Sequence, residues 1–289
     1  MYDGYEKASK SDFLRDHQRM IRRKNFMKWT SEAEEAVKKV PFFVRKKVRT
    51  RVENEAAAAG KEVVSLADVK ATQACFMAKM SSEIKGYQVD TCFGSSGCPN
   101  PANSSDGLLK KIEEFLDKED LLGFMKQRVK GDVKFHHEFK VTLAECPNAC
   151  SQPQIRDIGI IGACMPLLTD ETCTVCDACV DECKENAISI RSKNDMPEID
   201  YDLCLDCGKC IEVCPTGTIA VNKKGFRVQL GGKLGRHPQL AKELPGIYND
   251  DEVLGIVKDC IAFYKQNSKH GERFAEIFKF SDFKNFEKY

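Results

Sequence analysis

Between Cys92 and Cys214, twelve of the chain's fifteen cysteines stand in groups whose spacings suit iron–sulfur chemistry. Cys92-Phe-Gly-Ser-Ser-Gly-Cys98 is C-x5-C and Cys146-Pro-Asn-Ala-Cys150 is C-x3-C. A C-x2-C-x2-C-x3-C run then occurs twice, as Cys173, Cys176, Cys179 and Cys183 and as Cys204, Cys207, Cys210 and Cys214. Thiolate is the soft ligand that iron–sulfur clusters select, and short spacers let successive sulfurs wrap one cube. Zinc takes four ligands per site and has no use for eight in an interlocked run. A disulfide framework is opposed by the odd total and by the metal-type spacing. The inventory is that of a redox protein.

The tandem run resembles a bacterial two-cluster ferredoxin, in which the first three cysteines of each run hold one [4Fe–4S] cube and the fourth crosses to the other. That resemblance implies one cube on Cys173, Cys176, Cys179 and Cys214, and another on Cys183, Cys204, Cys207 and Cys210. Lys184 stands where a proline usually follows the first run, and Ala187-Ile188 repeats the later Thr218-Ile219.

The other four cysteines resemble the cluster site of the sulfite and nitrite reductase family. The resemblance implies a third [4Fe–4S] cube on Cys92, Cys98, Cys146 and Cys150, with the Cys150 sulfur also bridging to sirohaem iron. The flanks are similar too. Cys146-Pro-Asn-Ala-Cys150-Ser leads into the apolar run Asp157-Ile-Gly-Ile-Ile-Gly162, whose glycines suit close backbone approach. Gly225 to Pro238 resembles the glycine-rich strand and turn beside sirohaem, which makes Gly231, Gly232, Lys233 and Asn148 expected cofactor contacts. The segment does not match a phosphate loop. Strand alternation puts Glu138, Lys140 and Thr142 on one face. Where dissimilatory enzymes place several lysines, this face has one cation and a carboxylate that would repel sulfite. Lys140 and Arg156, with His136 and His137, are the expected anion or proton contacts, and Cys150, Lys140 and Arg156 form the expected catalytic set.

These residues need elements to position them. Residues 1–28 read as a basic arm with no nucleic-acid recognition motif. Thr30, followed by Glu32 and Glu34, caps a helix; Pro41 opens a second, Gly60 ends it, Val63-Val64 is a short strand, and Ser65-Leu-Ala-Asp68 caps a third helix. Trp29-Thr-Ser-Glu-Ala-Glu and Pro41-Phe-Phe-Val-Arg-Lys resemble the small C-terminal domain of a dark-operative protochlorophyllide reductase subunit. The alternative is a generic three-helix packing module with Phe42, Phe43 and Val44 as core. The expected fold is α+β: the arm at 1–28, a small helical domain at 29–79, a sirohaem/[4Fe–4S] reductase half-domain at 80–167 and 223–289, and an inserted two-[4Fe–4S] ferredoxin domain at 168–222.

Residues 1–70 carry 17 Lys and Arg against 11 Asp and Glu, whereas 168–222 carry 4 against 12. An acidic insert suits docking of a basic redox partner. No apolar leader or membrane-length stretch is present, and labile clusters suit a reducing cytoplasm. Three cubes and sirohaem imply reduction of a small oxyanion, sulfite first and nitrite second. Only one of the family's two related halves is recognisable, so the expected state is a homo-oligomer or a component of a larger complex, with Arg45, Lys46, Lys47, Arg49 and Arg51 as cations that could complete a site. The rival expectation is a non-catalytic iron–sulfur protein that only transfers electrons. Cys75, Cys164 and Cys260 are left over, as buried or incidental thiols.

Overall fold

The structure is a computed structural model that describes residues 27–94, 97–191, 195–286 and 289. Residues 1–26 of the basic arm lie outside it. The chain divides into two units, Met1–Glu83 and Ile84–Tyr289, a boundary four residues beyond the one expected. No helix among the described residues is long and apolar enough to cross a membrane.

In the first unit, β1 (Lys28–Trp29) pairs in parallel with β2 (Val63–Val64), and three helices pack round them: α1 (Ser31–Lys38), α2 (Phe42–Ala58) and α3 (Leu66–Ser82). The Thr30 hydroxyl accepts from Ala33 N at 3.3 Å, as its position before Ser31 dictates. Pro41 fixes the entry to α2, and Gly60 takes the positive φ (+73°) that follows its last turn. Ala33, Val37, Val52, Ala56, Val64 and Val69 form the core. Phe42 and Phe43 do not join it: they are 81% and 74% exposed, edge to face at 5.7 Å. Three of the five cations read as available are used inside this unit. Arg45 donates to the Lys38 and Val40 carbonyls, satisfying the end of α1. Arg49 forms a two-pronged pair with Glu34, and its guanidinium lies 4.3 Å from the Trp29 ring centre. Arg51 pairs with Glu55 at 3.0 Å. Lys46 and Lys47 are exposed.

The second unit is built on a five-stranded sheet in the order β3-β4-β5-β8-β9: β3 (Tyr87–Thr91), β4 (Phe139–Ala144), β5 (Ile158–Leu168), β8 (Ile219–Leu230) and β9 (Lys242–Glu243). β3, β4 and β5 are parallel; β8 runs antiparallel to β5, and β9 to β8. The connection from β3 to β4 carries α4 (Asp106–Leu116) and α5 (Leu121–Lys126), and α8 (Asp250–Asn267) follows the sheet. Leu108, Ile112 and Leu116 of α4 and Val253, Ile256, Val257, Cys260 and Ile261 of α8 bury one sheet face with Phe139, Val141, Leu143, Ile158, Ile160, Phe226, Val228 and Leu230. Alternation sends the intervening residues to the other face, so Gln88, Asp90, Lys140, Thr142 and Gly159 stand there together by register. The link from β4 to β5 has only one short 3-10 turn, Pro153–Ile155, and crosses that polar face. A Cβ on Gly159 would stand 2.5 Å from the Pro153 carbonyl oxygen, which is the close approach read from the sequence.

The segment between β5 and β8 holds α6 (Ala178–Glu182), the antiparallel pair β6 (Ile188–Arg191) and β7 (Met196–Ile199), and α7 (Lys209–Val213). β5 and β8 stay paired out to Leu168 and Ile219, with one register shift at Met165/Pro166, so the insert grows from the tip of a long hairpin. α9 (Phe274–Ile277) closes the chain against the core, where Phe274 and Phe278 stack at 4.8 Å.

Candidate metal centre

The two insert runs build the same loop twice. In Cys173 to Cys179 the backbone takes positive φ at Val175 (53°) and Asp177 (57°); in Cys204 to Cys210 it does so at Asp206 (57°) and Gly208 (74°). Each two-residue spacer therefore reverses, and a five-residue helix follows, α6 or α7, carrying the third cysteine of its run one position from its start. For Val175, a β-branched residue, this backbone is strained, as at positions where function over-determines the chain.

Electrostatics group the sulfurs. Burial pushes the Cys179 thiol up, and the charges of Cys173, Cys214 and Cys176 push it further. Burial takes Cys210 up to about 12, with Cys207, Cys204 and Cys183 adding to it. Cys179, Cys173, Cys176 and Cys214 also line one concavity. Cys179 adds to the Cys210 shift as well, so the two runs lie close enough for their sulfurs to feel one another's charge. Backbone N–H groups point at the sulfurs: Val175 N at Cys173 Sγ (3.3 Å), Ala187 N at Cys183 Sγ (3.3 Å) and Ile219 N at Cys214 Sγ (3.4 Å). Such donors stabilise thiolate charge.

The third set is assembled by the sheet. Cys92 directly follows β3, and its N–H donates to the Leu143 carbonyl, which keeps it alongside β4. Cys98 N donates to the Gly94 carbonyl at 2.9 Å and closes the turn of the C-x5-C loop, whose Ser95 and Ser96 lie outside the described residues. Cys146 follows β4; Ala149 at φ 52° turns the chain, so Cys150 comes back towards it. Burial pushes the Cys146 thiol up, Asn148 N opposes this, and Cys98, Cys150 and Cys92 all add to it. The four therefore converge. Among the described residues no His, Cys, Asp or Glu group is drawn tight enough for a single metal ion. A cube takes each thiolate on a different iron, so its four ligands need not meet at one point.

One cavity of about 330 Å³ links two of these centres. Cys146, Pro147 and Asn148 line it on one side, and Cys183, Cys204, Cys207 and Cys210 on the other. Cys164 is buried behind the second of these sets, with its N–H on the Asp206 carbonyl at 2.7 Å. Cys260 is core and Cys75 is exposed.

A cationic corner occupies the polar sheet face at the starts of β4 and β5. Burial holds the Lys140 ammonium below the usual lysine range, and the charges of Arg156 and Arg273 lower it further. His137 is lowered by burial and then by His136, Lys134 and Arg273, and its Nδ1 accepts from Lys134 N, so it also closes a turn. Arg156 pairs with Asp90 at 3.2 Å, and the buried Nε atoms of Arg156 and Arg273 have no hydrogen-bond partner among the described residues. Asp157 sits fully buried beneath them. Its Oδ2 accepts from Lys140 N at 2.9 Å, while burial raises its carboxyl to about 6 against the pull of Arg273. Arg273 was not legible because it lies over a hundred residues from Lys140. The sequence shows Asp157 only as the head of an apolar run, because its buried setting depends on residues distant in the chain.

One expectation needs correcting. Glu138 does not face an anion: buried, it accepts from Lys85 N, Gly86 N and Gln88 Nε2, anchoring the start of β3. Lys233 is paired with Glu276 at 3.3 Å. Gly231 and Gly232 donate to the Asp157 and Arg156 carbonyls, and a Cβ on Gly232 would stand 2.6 Å from the Gln154 carbonyl oxygen, so the glycine strand packs onto the cysteine-bearing link.

Two family models match the chain: "Nitrite and sulphite reductase 4Fe-4S domain" over residues 88–288 and "Proto-chlorophyllide reductase 57 kD subunit" over residues 29–72. The coenzyme F420-dependent sulfite reductase of Methanocaldococcus jannaschii is 35% identical over 184 residues, 63% of this chain and 28% of that one. A subunit of the anaerobic sulfite reductase of Salmonella typhimurium is 26% identical over 208 residues, 70% and 56% of the two chains. A subunit of the light-independent protochlorophyllide reductase of Chlorobium limicola is 60% identical over 43 residues, 15% of this chain and 8% of that one. The chain thus spans only part of the length of these relatives.

Proposed function

The chain belongs to the nitrite and sulphite reductase 4Fe-4S domain family, whose model covers well over half of it, and from that premise we propose that it takes part in multi-electron reduction of a small oxyanion, sulfite before nitrite. The observation that carries the reading is the convergence of Cys92, Cys98, Cys146 and Cys150 beside a polar sheet face where the buried Nε atoms of Arg156 and Arg273 lack partners among the described residues. Those residues fit a [4Fe–4S] cube and an anionic tetrapyrrole. Sirohaem, when bound through the shared Cys150 sulfur, would supply the metal at which the oxyanion accepts electrons. Arg156 and Arg273 would compensate carboxylate and oxyanion charge, since buried anions require paired donors. Lys140 Nζ, already depressed, would release a proton readily to a bound oxygen.

The insert reads as a two-cluster ferredoxin domain at about 168–222, and residues 29–79 as a small domain of the protochlorophyllide reductase type. Electrons would enter from a redox partner at the acidic insert, where Cys176 is exposed. Cys173, Cys176, Cys179 and Cys214 would hold one cube and Cys183, Cys204, Cys207 and Cys210 another, which would supply electron-transfer capacity on the far side of the cavity from Cys146. One relative is named as part of a multi-chain enzyme, and with Lys233 and Arg156 already paired the cations here are few. The working form is accordingly an oligomer or complex that completes the site.

Anaerobic purification followed by cofactor extraction, iron analysis and turnover with sulfite and nitrite tests this. A sirohaem absorption band with about thirteen irons, four per cube plus one, is expected. A protein with its cubes but no tetrapyrrole, inert to both anions even in its assembled form, would leave the electron-transfer reading in its place.

A further inference from the structure

The residue before the C-x3-C pair is a buried carboxylate. Glu145 is 2% exposed, at the end of β4. Its backbone N–H donates to Cys92 Sγ at 3.3 Å, and its carbonyl accepts from Ala102 N at 2.7 Å and Asn103 N at 3.2 Å. The side chain turns towards the C-x5-C loop: a Cβ on Gly94 would stand 3.6 Å from Oε1 and 3.8 Å from Oε2. Oε1 accepts from both the N–H and the hydroxyl of Ser105, at 2.7 and 3.0 Å. Oε2 is buried with no hydrogen-bond partner among the described residues, and no ion pair to Glu145 is formed among them. Burying a carboxylate without a cation is costly, so its place beside two cluster ligands calls for a reason.

We propose that Glu145 sets the reduction potential of the cube on Cys92, Cys98, Cys146 and Cys150, holding it low by placing a fixed negative charge against the loop that carries two of its ligands. Reduction adds an electron to the cube, and a nearby anion in a poorly screened interior opposes that addition. A low-potential cube gives its electron onward more readily. Glu145 touches no reacting atom; it acts through the cube. The Ser105 hydroxyl, which spreads part of that charge, moderates the effect. The inference rests on the cube assignment made above, and goes beyond it in naming what sets the cube's electronics.

The test is an EPR-monitored redox titration of the anaerobic holoprotein, with this cube's signal identified as the one lost in Cys98→Ala. In Glu145→Gln, which keeps an oxygen for Ser105, its midpoint rises; in Glu145→Asp it stays near the wild-type value. In Ser105→Ala, which strips a donor from the carboxylate, it falls. The two insert cubes keep their midpoints in all three. An unmoved midpoint in Glu145→Gln, equal shifts in the Gln and Asp variants, or a rise in Ser105→Ala overturns the proposal. If Glu145→Gln fails to assemble this cube, the direction of the Ser105→Ala shift decides. If Cys98→Ala removes no signal at all, the cube assignment itself has failed and the proposal falls with it.

Discussion

Gly208 lies against Cys164: a Cβ built on it would stand 2.8 Å from the Cys164 Cβ and 3.1 Å from its sulfur. The same glycine holds φ +74° in the turn between Cys207 and Cys210. The loop proposed to hold the second insert cube is thus fitted onto β5 at a point where no side chain can enter.

Gly208→Ala is therefore expected to lose that cube, taking iron from about twelve to about eight in the three clusters, four per cube. Gly217 has a similar φ (+73°) with nothing within 4 Å. Gly217→Ala should show only backbone strain of about 1 kcal/mol and keep all its iron. Iron and sulfide analysis of the two variants distinguishes local fit from strain.

Cys150→Ser should abolish sulfite and nitrite turnover, because an alkoxide is a hard substitute for a shared soft thiolate. The insert cubes, whose ligands lie elsewhere, should survive. Retained turnover and wild-type magnetic spectra would remove Cys150 from the bridging role.

Arg273→Gln should raise the KM for the oxyanion about tenfold, the effect of losing one charge-assisted contact of about 1.4 kcal/mol. Relief of the repulsion on Lys140 should accompany it, moving the alkaline limb of the pH profile upward. A change in kcat alone would place Arg273 outside anion binding.

Asp157 gives a stability signature. Its folded carboxyl is raised to about 6, above the ordinary unfolded value of about 3.9. The folded state binds the proton more tightly, so stability falls as pH rises between these two values and levels above the upper one. The slope is at most about 1.4 kcal/mol per pH unit. Asp157→Asn should lack this slope, and unfolding of the two proteins at pH 5, 6 and 7 checks it; parallel curves would refute it.

Thr30→Ala should destabilise the first unit by about 1 kcal/mol, as loss of one N-cap does. Limited proteolysis of residues 27–83 with increasing denaturant would register it.

What the sequence disclosed follows from how far each interaction reaches along the chain. The cysteine motifs stood out because ligand spacing is local and cube chemistry restricts it. Thr30, Pro41 and Gly60 were legible because caps and helix ends are decided within a turn. Glu138 was misread: alternation gave its face but not the backbone of Lys85 and Gly86, which turns back to meet it. Phe42 and Phe43 looked like core because apolar character alone does not say which side chains the packing buries. Arg45, Arg49 and Arg51 looked available because only the packed helices reveal the carbonyls and carboxylates they serve. Arg273 and Glu145 owe their importance to chain crossings that no local pattern encodes.

The long pairing of β5 with β8 has a kinetic meaning. A cluster domain tied on by flexible linkers would have to swing into range before each transfer, and its rate would track that diffusion. Here two strands leave the sheet and carry the insert on their paired tips, so the spacing between the proposed centres would be set by backbone register. Transfer across the shared cavity would then be tunnelling through a fixed medium, insensitive to solvent viscosity. A one-residue slip of that hairpin, more than any change at the cysteines themselves, would move all the insert's iron at once.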